Sequence, residues 1–222
     1  MDAVLKLKHI SFSYEDKNIL EDISLCVNKG DFVGIMGANG AGKSTLLKLI
    51  LGVLSPKQGK LEILNQPIKQ FKDWQKVGYL SQQVLKKNQH FPATCEEIVK
   101  ANLFSKIGFL RFSTKKHSEK AKAALAAVGM AGYEKKLIYE LSGGQQQRVM
   151  LAHVLVSEPE VIILDEPTTG VDQEAISAFY ELLKQLNEEK QMTIIMVTHE
   201  MEKSLKYMNR RIYLQEKQIV EA

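Results

Sequence analysis

The spacing of apolar side chains predicts strands at the start of the chain. Over the first 30 residues apolar and polar positions alternate, as at Leu5 and Leu7, with turn residues at 15–18 and 28–30. Alternation with a period of two is typical of strands that bury one face. We therefore predict short antiparallel strands here, followed by a buried strand over the continuous apolar run 32–36.

Further along the chain the spacing becomes that of helices, and then that of buried parallel strands. Apolar positions recur at helical intervals over 94–129. Apolar runs at 161–164 and 193–197 stand on either side of a helical stretch, 173–190. Strands that alternate with helices indicate an α/β fold with a parallel sheet.

The same change of spacing suggests how the chain is organised. We expect one domain, because 222 residues give ample length for a single core. Residues 1–84 and 156–222 are predicted to form a catalytic core of strands and helices. Residues 85–155 are predicted to form a mainly helical subdomain inserted into it.

A glycine-rich segment between a predicted strand and a predicted helix carries the clearest chemical signal. Residues 37–45, Gly-Ala-Asn-Gly-Ala-Gly-Lys-Ser-Thr, fit the pattern G-x-x-x-x-G-K-[ST], and the apolar run 46–51 predicts the helix that follows. Glycines let backbone N–H groups surround phosphate oxygens, while Lys43 can reach the β- and γ-phosphates and Ser44 can hold Mg²⁺. The helix N-terminus adds a partial positive charge. The sequence therefore predicts a nucleotide phosphate site.

Two acidic residues stand at the end of a later apolar strand. Asp165 and Glu166 follow the run 161–164 directly. Ligands of open α/β sheets bind beyond the carboxyl ends of the strands. Asp165 is therefore predicted to hold Mg²⁺, and Glu166 to polarise an attacking water.

A second helix start has the composition of an anion site. Residues 141–148, Leu-Ser-Gly-Gly-Gln-Gln-Gln-Arg, precede a helical run at 149–156. Ser142 can cap that helix, and the two glycines leave the backbone open to a phosphate.

Together these motifs resemble those of the ATP-binding subunits of ABC transporters, and the resemblance spans nearly the whole chain. Residues 37–45 match the Walker A loop, 141–145 the ABC signature, and 164–166 the end of Walker B. The resemblance implies an ABC-type P-loop NTPase fold. That fold has a RecA-like parallel-sheet core, an N-terminal antiparallel β subdomain and an inserted α-helical subdomain.

The resemblance also implies roles for single residues. Gln82 matches the Q-loop glutamine that touches Mg²⁺ and couples to the membrane subunit, and Asp172 matches the D-loop at the dimer interface. His199 matches the switch histidine near the γ-phosphate. Tyr14 matches the aromatic that stacks on adenine, with a packed core aromatic as the alternative. The residues implied to contact ATP are Tyr14, Gly37, Asn39, Gly40, Gly42, Lys43, Ser44, Thr45, Gln82, Ser142, Gly143, Gly144, Gln145 and Asp172. The implied catalytic residues are Glu166, His199 and Lys43, and the implied Mg²⁺ ligands are Ser44, Gln82 and Asp165.

Two phosphate-binding helix starts on one chain also bear on its partners. The resemblance implies a head-to-tail homodimer, in which the loop of one copy faces the signature of the other across a shared ATP. It further implies integral membrane permease subunits and, indirectly, a substrate-binding lipoprotein. The expected location is the cytoplasmic face of a bacterial membrane, and no nucleic acid partner is expected.

Three further segments suggest the cargo. Residues 71–74, 90–99 and 167–172 are similar to those of ATPases of bacterial zinc and manganese uptake systems. Importers of cobalt or nickel, or of iron chelates, are the alternatives. Ser81 and His153 depart from common family patterns, where a proline and an arginine stand.

Other classes of phosphate-loop protein fit less well. ABC-type ATPases that act on ribosomes usually join two such domains, and those of DNA repair contain a long coiled coil. This chain shows one set of motifs and no sustained heptads. The signature at 141–145 argues against a phosphate-loop kinase or GTPase.

Composition adds a few constraints. The net charge of +4 is small and the lysines are scattered, so charge does not favour a nucleic acid ligand. Cys26 and Cys95 match no metal-ligand spacing, and Cys26 is predicted to be a buried thiol. The start lacks the apolar core of a signal peptide, and no apolar run approaches the ~20 residues that span a bilayer. We therefore expect any membrane role to come through a partner, and no added regulatory domain after Val220.

Overall fold

A computed structural model describes residues 2–81, 92–103, 114–169, 171–199 and 204–221. Its strands are β1 (Ala3–Tyr14), β2 (Lys17–Asn28), β3 (Phe32–Met36), β4 (Gln58–Ile63), β5 (Gln66–Pro67), β6 (Val77–Leu80), β7 (Val161–Asp165), β8 (Thr193–Val197), β9 (Arg210–Gln215) and β10 (Gln218–Glu221). Its helices are α1 (Lys43–Ile50), α2 (Cys95–Ala101), α3 (Lys115–Ala127), α4 (Gly143–Leu155) and α5 (Gln173–Lys190). Short 3₁₀ turns lie at Ile68–Gln70, Trp74–Lys76, Ile138–Glu140 and Leu205–Tyr207.

The chain divides into two compact units. The first comprises Met1–Trp74 and Lys184–Ala222, and the second comprises Gln75–Leu183. The subdivision predicted above, with an inserted segment at 85–155, stays a prediction. Residues 85–91 and 104–113 of that segment lie outside the described ranges.

The alternating start of the chain forms an antiparallel sheet in the first unit, as predicted. Strand β1 pairs with β2 and with β4, and β4 pairs with β5. Strands β1 and β2 each run for 12 residues rather than being short, and their pairing continues through several register irregularities. Most apolar side chains of both strands are buried, as at Leu5 and Val27.

The prediction that Cys26 is buried is wrong. Its neighbours Leu25 and Val27 are buried, whereas Cys26 is exposed. Side chains alternate between the two faces of a strand, so a residue between two buried ones points outward. The apolar surroundings of Cys26 along the sequence therefore did not indicate its face.

Parallel strands form the second sheet of the first unit. Strand β3 pairs in parallel with both β8 and β9, and β9 pairs with β10 in an antiparallel hairpin. All residues of β3 and β8 are buried, which explains their continuous apolar runs. The β9–β10 hairpin was not predicted, because Ile212 and Leu214 are its only fully buried apolar side chains.

The second unit combines a parallel strand pair with helices. Strand β6 pairs in parallel with β7, and helices α2, α3 and α4 pack against one another. Thr94 caps α2, because its hydroxyl accepts from the backbone N–H of Glu97 while the Glu97 carboxylate accepts from the N–H of Thr94. Within the described ranges, no helix combines the length and the apolar character needed to cross a membrane.

Candidate functional site

The phosphate loop leads from the buried strand β3 into α1. The residue before the helix is Gly42, whose φ of +105° lies in the left-handed region that glycine tolerates. Among the residues that the structure describes, no side chain accepts a hydrogen bond from the first N–H groups of α1. These donors, with the partial positive charge of the helix end, are suited to bind an anion.

The ammonium group of Lys43 lies inside this loop. Its Nζ donates to the carbonyl oxygens of Gly37 and Ala38, at 2.8 and 3.0 Å, and the residue is only 6% exposed. A lysine held this way adds a positive charge to the backbone donors. The loop can therefore bind a polyphosphate.

Two glycines of the loop are required for different reasons. A Cβ on Gly37 would stand 2.5 Å from the carbonyl oxygen of Leu214, because the loop lies directly against β9. Gly40 has open space around it but a φ of +82°. One glycine thus permits close packing on the sheet, and the other permits the turn of the loop.

A cleft of about 630 Å³ lies beside the loop in the first unit. Its walls are formed by the start of β2 (Lys17–Ile19), the loop residues Ala38–Ala41, and the turn between β9 and β10 (Leu214–Lys217). The hairpin that sequence reasoning missed therefore forms one wall of the cleft.

The remaining predicted residues of the first unit have these positions. Asn39 and Ser44 are exposed, and Thr45 is buried in α1. Tyr14, at the end of β1, is 43% exposed and stands edge-on to Phe12 at 4.9 Å, so it is not a core side chain. His199 follows β8 and is exposed.

The end of β7 places Asp165 beside a tyrosine that sequence reasoning missed. The hydroxyl of Tyr79, on the paired strand β6, donates to Oδ2 of Asp165 at 3.4 Å. Partial burial and the nearby carboxylate raise the pKa of Tyr79 to about 12, so the hydroxyl keeps its proton. The tyrosine therefore acts as a neutral donor that orients one oxygen of Asp165.

The backbone at Glu166 is strained. Its φ of +45° is unusual for a residue with a side chain, and Pro167 follows it. A residue before proline favours extended conformations, and a left-handed one costs about 1–3 kcal/mol. Such strain persists only where the surrounding structure holds it, and it is concentrated at functional sites.

The second helix start is capped by its own residues. The hydroxyl of Ser142 accepts from the backbone N–H of Gln145 at 3.3 Å, and Oε1 of Gln145 accepts from the N–H of Ser142 at 3.1 Å. Ser142 and Gly143 are exposed. Gly144 is buried, and a Cβ there would stand 2.6 Å from the Cβ of Ala175 on α5.

A second cleft of about 330 Å³ opens beside this helix start. Three predicted residues, Ser142, Gly144 and Gln145, line it together with Asp172. Asp172 also caps α5, because its carboxylate accepts from the N–H of Ala175 at 2.9 Å. The structure thus brings the signature residues and Asp172 together.

One predicted residue could not be placed, because Gln82 lies outside the described residues. Tyr79 and Gln147 were missed, since each contacts its partner across the fold. For Gln147 a signal existed in the sequence. It occupies an apolar stripe of α4 with Leu151 and Val154, where a polar residue is unusual.

The parallel strands and the glycine loop define a phosphate-loop nucleotide-binding protein, and comparison with known proteins gives its family. The family model described as "ABC transporter" matches residues 20–169. The zinc uptake system ATP-binding protein ZurA of Listeria monocytogenes is 46% identical over 209 residues, which cover 94% of this chain and 81% of the relative. The manganese transport system ATP-binding protein MntB of Bacillus subtilis is 39% identical, with coverages of 91% and 80%.

Structural comparison agrees with this result. The dimeric post-hydrolysis structure of the ATP-binding cassette MJ0796, bound to ADP and Pi, matches with a TM-score of 0.78 and 29% identity, over 98% of this chain and 97% of that one. The chain therefore belongs to the ABC transporter family of ATP-binding proteins. It is the ATP-binding and ATP-hydrolysing subunit of such a transporter, and the predicted fold class is confirmed.

Proposed function

We propose that this subunit drives the uptake of a divalent metal ion, zinc first and manganese second. The assignment of the cargo rests on the 46% identity to ZurA over nearly the whole chain. Manganese is kept as the second candidate because MntB is 39% identical.

ATP binding is supported by the loop of the first unit. The uncapped N–H groups of α1 and the buried Lys43 are suited to hold the phosphates. The exposed ring of Tyr14 is available for adenine, and stacking of a base on an aromatic is worth about 1–3 kcal/mol.

A magnesium ion fits the donors that this chain presents. The exposed Ser44 hydroxyl, the Asp165 carboxylate and, by resemblance, Gln82 are oxygen ligands of the kind Mg²⁺ prefers. When bound, the ion neutralises charge that develops on the phosphate oxygens. Tyr79 orients Asp165 for this role through its hydrogen bond.

Hydrolysis is assigned to Glu166 and His199. Glu166 acts as the general base or orients the attacking water, and it lies at a strained point of the backbone after β7. His199, exposed at the end of β8, senses the γ-phosphate. Lys43 stabilises the charge on the transferring phosphoryl group.

The active form in this proposal is a head-to-tail homodimer. Ser142, Gly143, Gly144 and Gln145 of one copy contact ATP held by the loop of the other, and Asp172 lies at the dimer interface. The exposure of Ser142 and Gly143 beside a cleft that Asp172 also lines supports this arrangement. ATP closes the dimer because it binds both copies, and hydrolysis reopens it.

The remaining partners follow from the family. We assign integral membrane permease subunits as direct partners and a substrate-binding lipoprotein as an indirect one. The subunit then works at the cytoplasmic face of the membrane without crossing it.

Vesicles reconstituted with this chain, its permease and the lipoprotein test the proposal. ATP-dependent uptake of zinc, or of manganese, is expected. Uptake of neither ion, with ATP hydrolysis intact, contradicts the cargo assignment alone.

The variant Glu166→Gln tests the chemistry in the same preparation. Loss of a general base slows turnover by about 10²–10⁴-fold, while ATP binding and ATP-driven dimer formation persist. Turnover at the wild-type rate rules out the role given to Glu166.

A further inference from the structure

A buried glutamine connects the signature helix α4 to the strained segment after β7. Gln147 has no exposed surface, and its Nε2 donates to the carbonyl oxygen of Pro167 at 2.6 Å. Pro167 is itself buried and follows Glu166 directly. This bond joins residues 20 positions apart within one compact unit.

The bond lies next to a strained part of the backbone. Glu166 adopts a left-handed φ of +45° before a proline, a conformation that the chain does not prefer locally. The bond from Thr169 N–H to the Glu166 carbonyl is long, at 3.4 Å. The short bond from Gln147 therefore holds the peptide between Pro167 and Thr168, one residue beyond the glutamate.

The amide oxygen of Gln147 indicates why a polar residue occupies this position. Among the described residues no donor reaches its Oε1, although the atom is fully buried. A buried polar atom without a partner is unfavourable, and an apolar residue of the same size would avoid it. The donor function of Nε2 thus accounts for a polar residue on this apolar stripe.

The helix that carries Gln147 begins at the signature. Ser142 caps α4, and Gln147 lies five residues further along. A helix moves as a rigid element, so displacement of its start also displaces Gln147 and, through its bond to Pro167, the segment that follows Glu166.

We propose that Gln147 is a positioning residue that sets the place of the Glu166 carboxylate and couples it to the signature of the same copy. The inference rests on the roles proposed above for Glu166 and the signature. In the dimer, the signature contacts ATP held by the partner, whereas Glu166 serves the ATP held by its own copy. Gln147 therefore links the two nucleotide sites of the dimer.

The test is a double-mutant cycle on the full chain that combines Gln147→Met with Glu166→Gln. The methionine keeps the length of the side chain and removes the donor. The turnover number is expected to fall by about 10- to 100-fold, as for a misplaced catalytic group, with the dissociation constant for ATP unchanged. In the Glu166→Gln background the same change is expected to have no further effect, because Gln147 acts through Glu166.

A matched control separates positioning from stability. Asn187 is another buried amide, whose Nδ2 donates to the carbonyl oxygens of Gly30 and Met192, both at 2.8 Å, in the first unit. Asn187→Leu is expected to lower the melting temperature and leave the turnover number of the folded protein unchanged. If Gln147→Met does not fold, Gln147→Asn keeps the amide on a side chain too short to reach Pro167.

Three other results would contradict either the inference or the role proposed for Glu166. Wild-type turnover in the Gln147 variant overturns the inference and leaves the proposed function intact. An equal loss of turnover with and without Glu166 also overturns it, since a structural role lowers both backgrounds alike. Wild-type turnover of Glu166→Gln alone refutes the role proposed for Glu166, and with it any action through that residue.

Discussion

The two helix starts that the sequence marks as anion sites are built in opposite ways. Helix α1 begins at Gly42, in a left-handed conformation and without any side-chain cap. Helix α4 begins at Ser142, in an extended conformation, with a reciprocal cap between Ser142 and Gln145. A charged side chain, Lys43, is buried at the first start, whereas the second starts with exposed residues.

This difference shows which helix start can hold phosphate by itself. Within the described ranges the donors of α1 are not used by side chains, and Lys43 adds a full charge, so this start is suited to hold phosphate without a second contact. The start of α4 already satisfies two of its N–H groups internally. It therefore suits a second, supplementary contact to a nucleotide that another copy holds.

Loss of Lys43 is expected to have the largest effect on binding. The variant Lys43→Ala removes a charged donor, whose hydrogen bonds contribute about 1.5–3 kcal/mol each. ATP affinity is expected to fall by about 10- to 100-fold or more, as measured by titration with a fluorescent ATP analogue. Lys48→Ala, at an exposed position of the same helix, is the control and should bind ATP as the wild type does. Equal affinity of both variants would show that the loop does not hold the phosphates.

The serine of the second start is expected to affect turnover but not binding to a single copy. Ser142→Ala removes a cap, which costs about 1 kcal/mol of unfolding free energy, and also removes the proposed contact to the partner's nucleotide. Thr94→Ala removes the same kind of capping box from α2 and serves as the matched control. Similar losses of stability are expected from both in denaturant unfolding, with a loss of ATPase turnover in Ser142→Ala alone. If turnover falls equally in both, Ser142 has no role beyond capping.

Features determined by neighbours along the chain could be predicted from the sequence. Strands β3 and β8 and helix α5 have the predicted bounds, because each has a strong apolar pattern. The phosphate loop was likewise predictable, since nine consecutive residues contain its glycines, lysine and hydroxyls. Helix α1 includes Lys43 at its start, so it begins three residues before its predicted apolar run.

Features that depend on pairing across the fold could not be predicted. The bond between Tyr79 and Asp165 needs the register of β6 against β7, and the bond between Gln147 and Pro167 needs the packing of α4. Neither is encoded in local spacing. The left-handed backbone of Glu166 runs against the local preference before proline, so tertiary contacts must determine it.

The smallest effect that we expect is a pH dependence of stability, which arises from His153 near the C-terminal end of the signature helix α4. The Nδ1 of His153 donates to the carbonyl oxygen of Ile98 on α2 at 2.7 Å, and burial lowers the pKa of His153 below its ordinary value of 6.5. Between the two pKa values the unfolded chain binds the proton and the folded chain does not, so stability falls as the pH drops below 6.5.

Replacement by a side chain that does not titrate should remove this part of the pH dependence. In His153→Asn the amide nitrogen can occupy the place of Nδ1 and keep the bond to Ile98. Unfolding measured at pH 7.5 and 5.5 is expected to show a smaller loss of stability in the variant than in the wild type. The carboxylates with lowered pKa, such as Glu96 and Glu97, contribute only nearer their ordinary value of 4.5 and below it, so they do not mask the difference. An identical loss in both proteins would show that His153 titrates alike in the folded and unfolded chain.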